Sequence, residues 1–266
     1  MCSGQTLALY LEDGNPWLRM NHSSILIQVF LFQLAGVSCL WAQSSPLPGV
    51  ALPAPASTAA PFSRGEVLNY SVNWPSGLSL GEAQLRVGSA EPGWDFEFTL
   101  NASLPGFEVK DHYRSEAGAN FCSSRLEKDF VHGTRKTKET VSYDQQKHQA
   151  ERKTDAGGKS EVAISDCVKD GMTFLYYLRR ELASGRLPPA QVINFGAPYE
   201  ISVAYGDARD VETDGVKQKA DRILVSLRGP ASSHSFEILF ARDKARTPLE
   251  VRVPFSLGTF ALELAR

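Results

Sequence analysis

The amino-acid sequence predicts a mainly β fold, an antiparallel closed or half-open β-barrel or sandwich with one covering α-helix. Apolar and polar residues alternate with a period of two along many short segments, which is typical of strands that bury one face of a sheet. Glycine and proline separate these segments where turns are expected. Only one segment has the apolar spacing of an amphipathic helix, so strands must form most of the core.

The predicted strands run through the whole of the domain. The clearest are 68–74, 94–100, 201–205, 236–240 and 249–255. A more polar region, 125–153, is also predicted to be β, with a hairpin that turns at Asp144-Gln145-Gln146. Its charged residues are interpreted as a solvated strand surface, with a contact face for an anionic partner as the alternative.

The single predicted helix covers about 170–183. Asp170 is a favourable N-cap, and Gly185 is placed to end the helix. Between them lies an i, i+3, i+7 apolar stripe, formed by Leu175, Leu178 and Leu182. Arg179 and Arg180 suit the last turn, where cations complement the helix dipole. We expect the helix to cover one face of the sheet or to plug an open end.

The N-terminal part predicts export. The uncharged apolar run 25–40 is shorter than the roughly 20 residues of a membrane-spanning helix, and small residues follow it. We therefore predict a signal peptide over 1–42, with Met20 as the expected true start. Lipidation of Cys39 and an uncleaved membrane anchor are the alternatives. All three predict a periplasmic or otherwise exported protein, which outer-membrane association would also fit.

The remaining chain divides into a linker and a domain. Residues 43–62 contain five prolines and no charge, so they are predicted to be an extended spacer. The domain then covers 63–266 and contains two cysteines, Cys122 and Cys167. In an exported chain this pair is a disulfide candidate, and two separate buried thiols are the alternative.

Composition and motifs argue against several function classes. Lys and Arg total 28 against 30 Asp and Glu, which is not the basic balance of a nucleic-acid-binding protein. Ser79 fits a G-x-S-x-G pattern, but a strand rather than a helix is predicted after it, so it lacks the context of a hydrolase nucleophile. The domain histidines do not have metal-ligand spacing. The sequence thus predicts no catalytic residue, no metal and no cofactor.

Aromatic residues are concentrated in the first strands. They are Tyr70, Trp74, Trp94, Phe96 and Phe98. Such residues either fill an ordinary core or line a cavity for an apolar ligand. We predict that these five bind an apolar or amphipathic small molecule, or an envelope protein, without chemistry. A structural or assembly domain that uses an exposed sheet edge and a hydrolase without a recognisable motif are the alternatives.

Three segments resemble a known family. They are GEVLNYSVNWPSGLSLGEA at 65–83, DCVKDGMTFLYYLR at 166–179 and DKARTPLEVRVPFSLGTFAL at 243–262. In this order they resemble the opening, the central helix and the closing signature of the DUF3108 domain. The resemblance implies an exported bacterial β-rich domain of unassigned function, and it implies no catalytic residues.

Overall fold

The computed structural model describes residues 60–265, except for 75, 89–91, 105, 214, 231 and 256–257. The predicted signal peptide at 1–42 and residues 43–59 of the predicted linker 43–62 lie outside the described residues, as do Met20 and Cys39. The last residue of that linker, Phe62, is described and is buried in the core at 5% exposure, so it belongs to the domain. No helix in the described part of the chain is both long and apolar enough to cross a membrane.

The fold is one large antiparallel sheet with one helix, as predicted. The elements are β1 Val67–Asn73, β2 Ser79–Val87, β3 Trp94–Leu104, β4 Phe107–Ala117, β5 Ser123–His132, β6 Arg135–Asp144, β7 Gln149–Thr154, β8 Lys159–Ala163, α1 Gly171–Ala183, β9 Gln191–Asn194, β10 Pro198–Thr213, β11 Val216–Arg228, β12 Ser233–Ala241, β13 Pro248–Phe255 and β14 Gly258–Ala265.

Two runs of hairpins build this sheet. Strands β1 to β8 form one meander and β9 to β14 the other, and pairing of β1 with β14 joins them into 14 strands. The two edge strands, β8 and β9, do not pair with each other within the described residues. The architecture is therefore the half-open form of the predicted barrel.

The sheet curls until its two ends approach each other. The hydroxyl of Tyr143 in β6 donates to the carbonyl of Asn194 at the end of β9, at 2.8 Å. The segment before α1 links both sides, because Ser123 N donates to the carbonyl of Val168 and Asn194 N donates to that of Lys169, each at 2.9 Å. These bonds hold the β9 edge against β5 and β6 without a continuous strand ladder.

Helix α1 lies inside this curl. Its Asp170 N-cap accepts the N–H groups of Met172 and Thr173 at 2.8 and 3.0 Å, and Gly185 follows the C-cap with a φ of +72°. Met172 and Tyr176 pack into a cluster with β1 to β3. Residues on another side of the helix pack against β10 to β12, namely Phe174, Leu178 and Leu182. The helix therefore covers the inner face of the sheet, as predicted, and contacts both of its halves.

Two further contacts fix the start of the helix. The Asp170 carboxylate also accepts hydroxyls from Ser115 and Ser123, at 2.5 and 2.7 Å. A disulfide joins Cys122, which precedes β5, to Cys167, which precedes α1. The helix is thus attached to β4 and β5 by buried hydrogen bonds and a covalent link.

Candidate functional site: the inner face of the sheet

The inner face of the sheet is the face that contacts α1, and strand register extends it over the neighbouring strands. Residues that pair directly in an antiparallel sheet point to the same side. Val72 is a core residue beneath the helix, and it pairs with Gly81 on one side and Leu262 on the other. The row continues through Ala102 and Val109 towards His132. These positions therefore share the inner face with the core.

Helix α1 fills only part of this face. Inward-facing residues close to the helix are fully buried, as Val87, Phe96 and Ile223 show at 0% exposure. Several large apolar residues at other inward positions keep part of their side chains accessible; six of them are Trp74, Phe98, Leu100, Phe236, Phe260 and Leu262. We call these six residues the open inner surface. Large apolar groups that remain accessible on a concave face are characteristic of ligand sites.

The five aromatic residues predicted from the sequence separate into two environments. Tyr70 and Phe96 are core residues, because Tyr70 donates its hydroxyl to the Pro248 carbonyl at 2.9 Å and Phe96 stacks on Tyr176 at 4.0 Å between ring centroids. Trp74 and Phe98 belong to the open inner surface, and Trp74 meets Phe260 edge-to-face at 4.7 Å.

Trp94 belongs to neither group. It is half-buried, stacks on Phe121 at 5.6 Å between ring centroids and lies beneath the Arg64 guanidinium at 4.7 Å. Phe62 meets it edge-to-face at 5.2 Å. Trp94 therefore anchors the segment that leads into β1, away from the open inner surface.

A polar wall continues the inner face over β4 and β5. Asp111 pairs with Leu100 on one side and Phe130 on the other, so it points inward. Its carboxylate accepts a hydrogen bond from Nε2 of His132 at 2.8 Å, and the two side chains are 12% and 41% exposed. Burial raises the pKa of Asp111, while the hydrogen bond from His132 acts in the opposite direction.

A second polar cluster completes the wall over β5 to β7. The Lys128 ammonium contacts the buried Glu139 carboxylate, which also accepts Nε of Arg152 at 2.7 Å. Lys128 also donates to the Phe195 carbonyl at 3.2 Å. Burial lowers the pKa of Lys128, although the neighbouring Glu139 carboxylate acts to raise it. Burial would raise the pKa of Glu139, but the hydrogen bonds from Arg152 and Lys128 hold it below its ordinary value.

This second cluster corrects the interpretation of 125–153 as only a solvated surface. Lys128 and Glu139 are 8% and 3% exposed. Both occupy the same alternating positions as apolar inner-face residues, Lys128 beside Leu126 and Glu139 beside Val141. This alternation could have predicted that both side chains face inward, but the high charge of the segment led us to place them in solvent.

Other candidate chemistry is sparse in the described residues. They contain no group of three or more His, Cys, Asp or Glu side chains placed to hold a metal ion. Ser79 begins β2 and is exposed, so a strand follows it. Ser232 and His234 share a hydrogen bond of 3.0 Å at the β11–β12 hairpin, with no carboxylate bonded to the imidazole in the part of the chain described.

A solved β-barrel-like protein is similar in fold. A β-barrel-like protein of the domain of unknown function DUF1849, from Brucella abortus, superposes with a TM-score of 0.55 at 8% identity and covers 75% of this chain and 95% of its own. At this identity the likeness concerns the fold alone.

Two other solved structures superpose less well and support no argument. A candidate lipoprotein from Parabacteroides distasonis has a TM-score of 0.31 at 6% identity, covering 76% of this chain and 94% of its own. A candidate exported protein with a YmcC-like fold from Bacteroides fragilis has a TM-score of 0.28 at 9% identity, covering 77% and 96%.

Sequence comparison gives the family. The comparison with curated proteins finds no match to this chain. The family model described as a protein of unknown function, DUF3108, matches residues 69–265. That range runs from β1 to β14 and contains the complete sheet and helix except the first residues of β1. The resemblance of the three sequence segments is thereby confirmed, and the chain belongs to the DUF3108 family.

Proposed function

We propose that this protein is an exported binding protein that holds an apolar or amphipathic molecule on the open inner surface, without transforming it. The observation that carries the proposal is the set of six large apolar side chains that face inward but remain partly accessible. Covering one such side chain contributes roughly 1.5–3 kcal/mol when burial is complete. Partial burial of several of them would therefore supply useful affinity for an acyl chain.

The export part of the proposal rests on two features. The sequence has the uncharged run 25–40 expected of a leader. The domain contains the Cys122–Cys167 disulfide, and such bonds persist in oxidising compartments such as the periplasm. A periplasmic or outer-membrane-associated location follows as the proposal for the mature chain.

The assembly alternative requires an edge strand open to addition. The β8 edge is exposed and carries Lys159 and Glu161, which pair with each other at 3.0 Å. Charged side chains on an edge strand disfavour pairing with another strand. Ligand binding is therefore favoured over strand recruitment, and the absence of a supported nucleophile in the described residues leaves the hydrolase alternative third.

A direct fluorescence titration tests the proposal. The neutral, environment-sensitive probe N-phenyl-1-naphthylamine is added to the purified protein and its fluorescence is measured. Covering Trp74 by the probe predicts that Trp74→Ala weakens binding about tenfold, equivalent to about 1.4 kcal/mol. Leu224 is the matched control, because it is apolar, 37% exposed and paired with Ala204 on the outer face. Leu224→Ala should leave binding unchanged.

The outcomes separate the two interpretations of the aromatic residues. If the unmodified protein does not bind the probe, the open inner surface is not a ligand site. If Trp74→Ala and Leu224→Ala weaken binding equally, the probe binds elsewhere. Thermal unfolding of each variant shows whether a loss of binding follows from a loss of fold.

A further inference from the structure

We infer that the Asp111–His132 pair recognises an uncharged, hydroxyl-bearing head group on the amphipathic ligand whose chain lies on the open inner surface. This inference rests on the proposed function and adds the chemical class of the ligand. It assigns a binding role to two side chains that have no role in the core.

The pair borders the apolar surface directly. Asp111 is the paired neighbour of Leu100, which belongs to the open inner surface. His132 pairs with Val109, which in turn pairs with Ala102 on the same face. Neighbouring strands lie about 4.8 Å apart, so the pair is within about two strand spacings of the β3 side chains. A ligand chain on β3 would therefore bring its head group to this pair.

The hydrogen bond fixes which atom His132 offers to a ligand. An ionised carboxylate can only accept, so Nε2 of His132 must carry the proton that Asp111 receives. In the neutral imidazole the other nitrogen, Nδ1, then has a free lone pair. Nδ1 bonds to no other group among the described residues, and the side chain is 41% exposed. The available atom is an acceptor, which suits a donor such as a hydroxyl.

The charges of the wall favour an uncharged head group. Lys128, Arg152 and Arg135, which pairs with His132 on the inner face, supply three cations, while Asp111 and Glu139 supply two anions. Lys128 and Arg152 are already engaged by Glu139. Arg135 is exposed, so water screens its charge, whereas the Asp111 carboxylate is only 12% exposed and repels a ligand carboxylate placed beside it.

A second His–carboxylate pair provides an internal comparison. His112 contacts Glu97 at the same distance, 2.8 Å, and these residues pair with Thr99 and Arg114 at outward positions. The side chains are 49% and 36% exposed, whereas Asp111 is 12% exposed. The two pairs have the same chemistry, but only the inner pair borders the open inner surface.

The test compares head groups on one chain length. The neutral probe N-phenyl-1-naphthylamine is bound to the full protein, and three lauryl compounds displace it below their micelle concentrations. They are 1-lauroylglycerol, laurate and dodecyltrimethylammonium. We expect 1-lauroylglycerol to displace the probe at about five- to tenfold lower concentration than either ion, the effect of about one hydrogen bond.

Three variants locate the preference. His132→Leu removes the acceptor and should bring the three compounds within about twofold of one another. Asp111→Asn keeps an acceptor for Nε2 but removes the charge, so it should selectively improve laurate. His112→Leu on the outer face should retain the preference of the unmodified protein. Circular dichroism verifies the fold of each, and Asp111→Asn provides an independent result if His132→Leu does not fold.

The outcomes distinguish this inference from the proposed function. If the unmodified protein releases the probe equally to all three compounds, or prefers laurate, the head-group inference is wrong while apolar binding stands. If His132→Leu retains the preference, or if Asp111→Asn leaves laurate unimproved, the pair does not make the contact. If the protein binds no probe, the proposed function and this inference are both wrong.

Discussion

Replacing Arg179 by Met should cost the domain about 3–5 kcal/mol of folding free energy. Arg179 is 0% exposed, and its guanidinium makes two hydrogen bonds to Glu66, at 2.6 and 2.9 Å, and two to the carbonyl of Ala245, at 3.2 and 3.1 Å. Glu66 is only 14% exposed, so the substitution leaves a largely buried carboxylate without its partner. Methionine fills much of the same space, which keeps the cavity contribution small.

Two companion variants identify the mechanism. Adding Glu66→Gln to Arg179→Met removes the unpaired charge and should recover about 1–3 kcal/mol. Arg180→Met is the matched control, because Arg180 is adjacent, 23% exposed and paired with Glu181 at 3.1 Å, and it should cost less than about 1 kcal/mol.

Urea unfolding followed by tryptophan fluorescence measures all of these free energies. The reasoning fails if Arg179→Met loses less than about 1 kcal/mol, or if the double variant is no more stable than the single one. Equal losses in Arg179→Met and Arg180→Met would also contradict it, because the two cations differ in burial rather than in charge.

Three other predictions concern pH, the disulfide and the helix. The pKa of Glu139 lies below its ordinary value, so its ionised form stabilises the fold at neutral pH, and that contribution is lost as pH falls through the lowered pKa. Glu139→Gln should therefore unfold at a lower urea concentration than the unmodified protein at pH 7. The difference in their free energies of unfolding should shrink below about pH 4. Unfolded, unreduced protein should show no free thiol from Cys122 or Cys167, and two titratable thiols from this pair would contradict the disulfide. Replacing both cysteines by Ser should lower the free energy of unfolding by about 4 kcal/mol, because the bond closes a loop of 45 residues. Leu178→Asp should lower the free energy of unfolding by about 4 kcal/mol or more, because Leu178 lies on the side of α1 that packs against the sheet and is 1% exposed. An unchanged melting temperature would mean that this face of the helix is not docked.

The candidate site was only partly predictable from the aromatic residues. Their alternation correctly identifies an inward-facing set, but it cannot separate Phe96, which the helix covers, from Trp74, which it does not. The difference depends on how far along each strand α1 extends. Asp111 and His132 gave no motif, because they lie 21 positions apart and meet only through the register of β4 and β5.

The sequence by itself determined the local features of this protein. Period-two alternation specifies strands because each strand has its own two faces, and the Asp170 cap specifies the start of α1 through bonds within three residues. Only the tertiary structure decided the burial of Arg179, which the sequence places in a helix end suited to cations. Its partner Glu66 is 113 positions away and is reached because the sheet curls around α1. This curling of the sheet depends on the pairing of β1 with β14 and on contacts between distant strands, and no short segment encodes it.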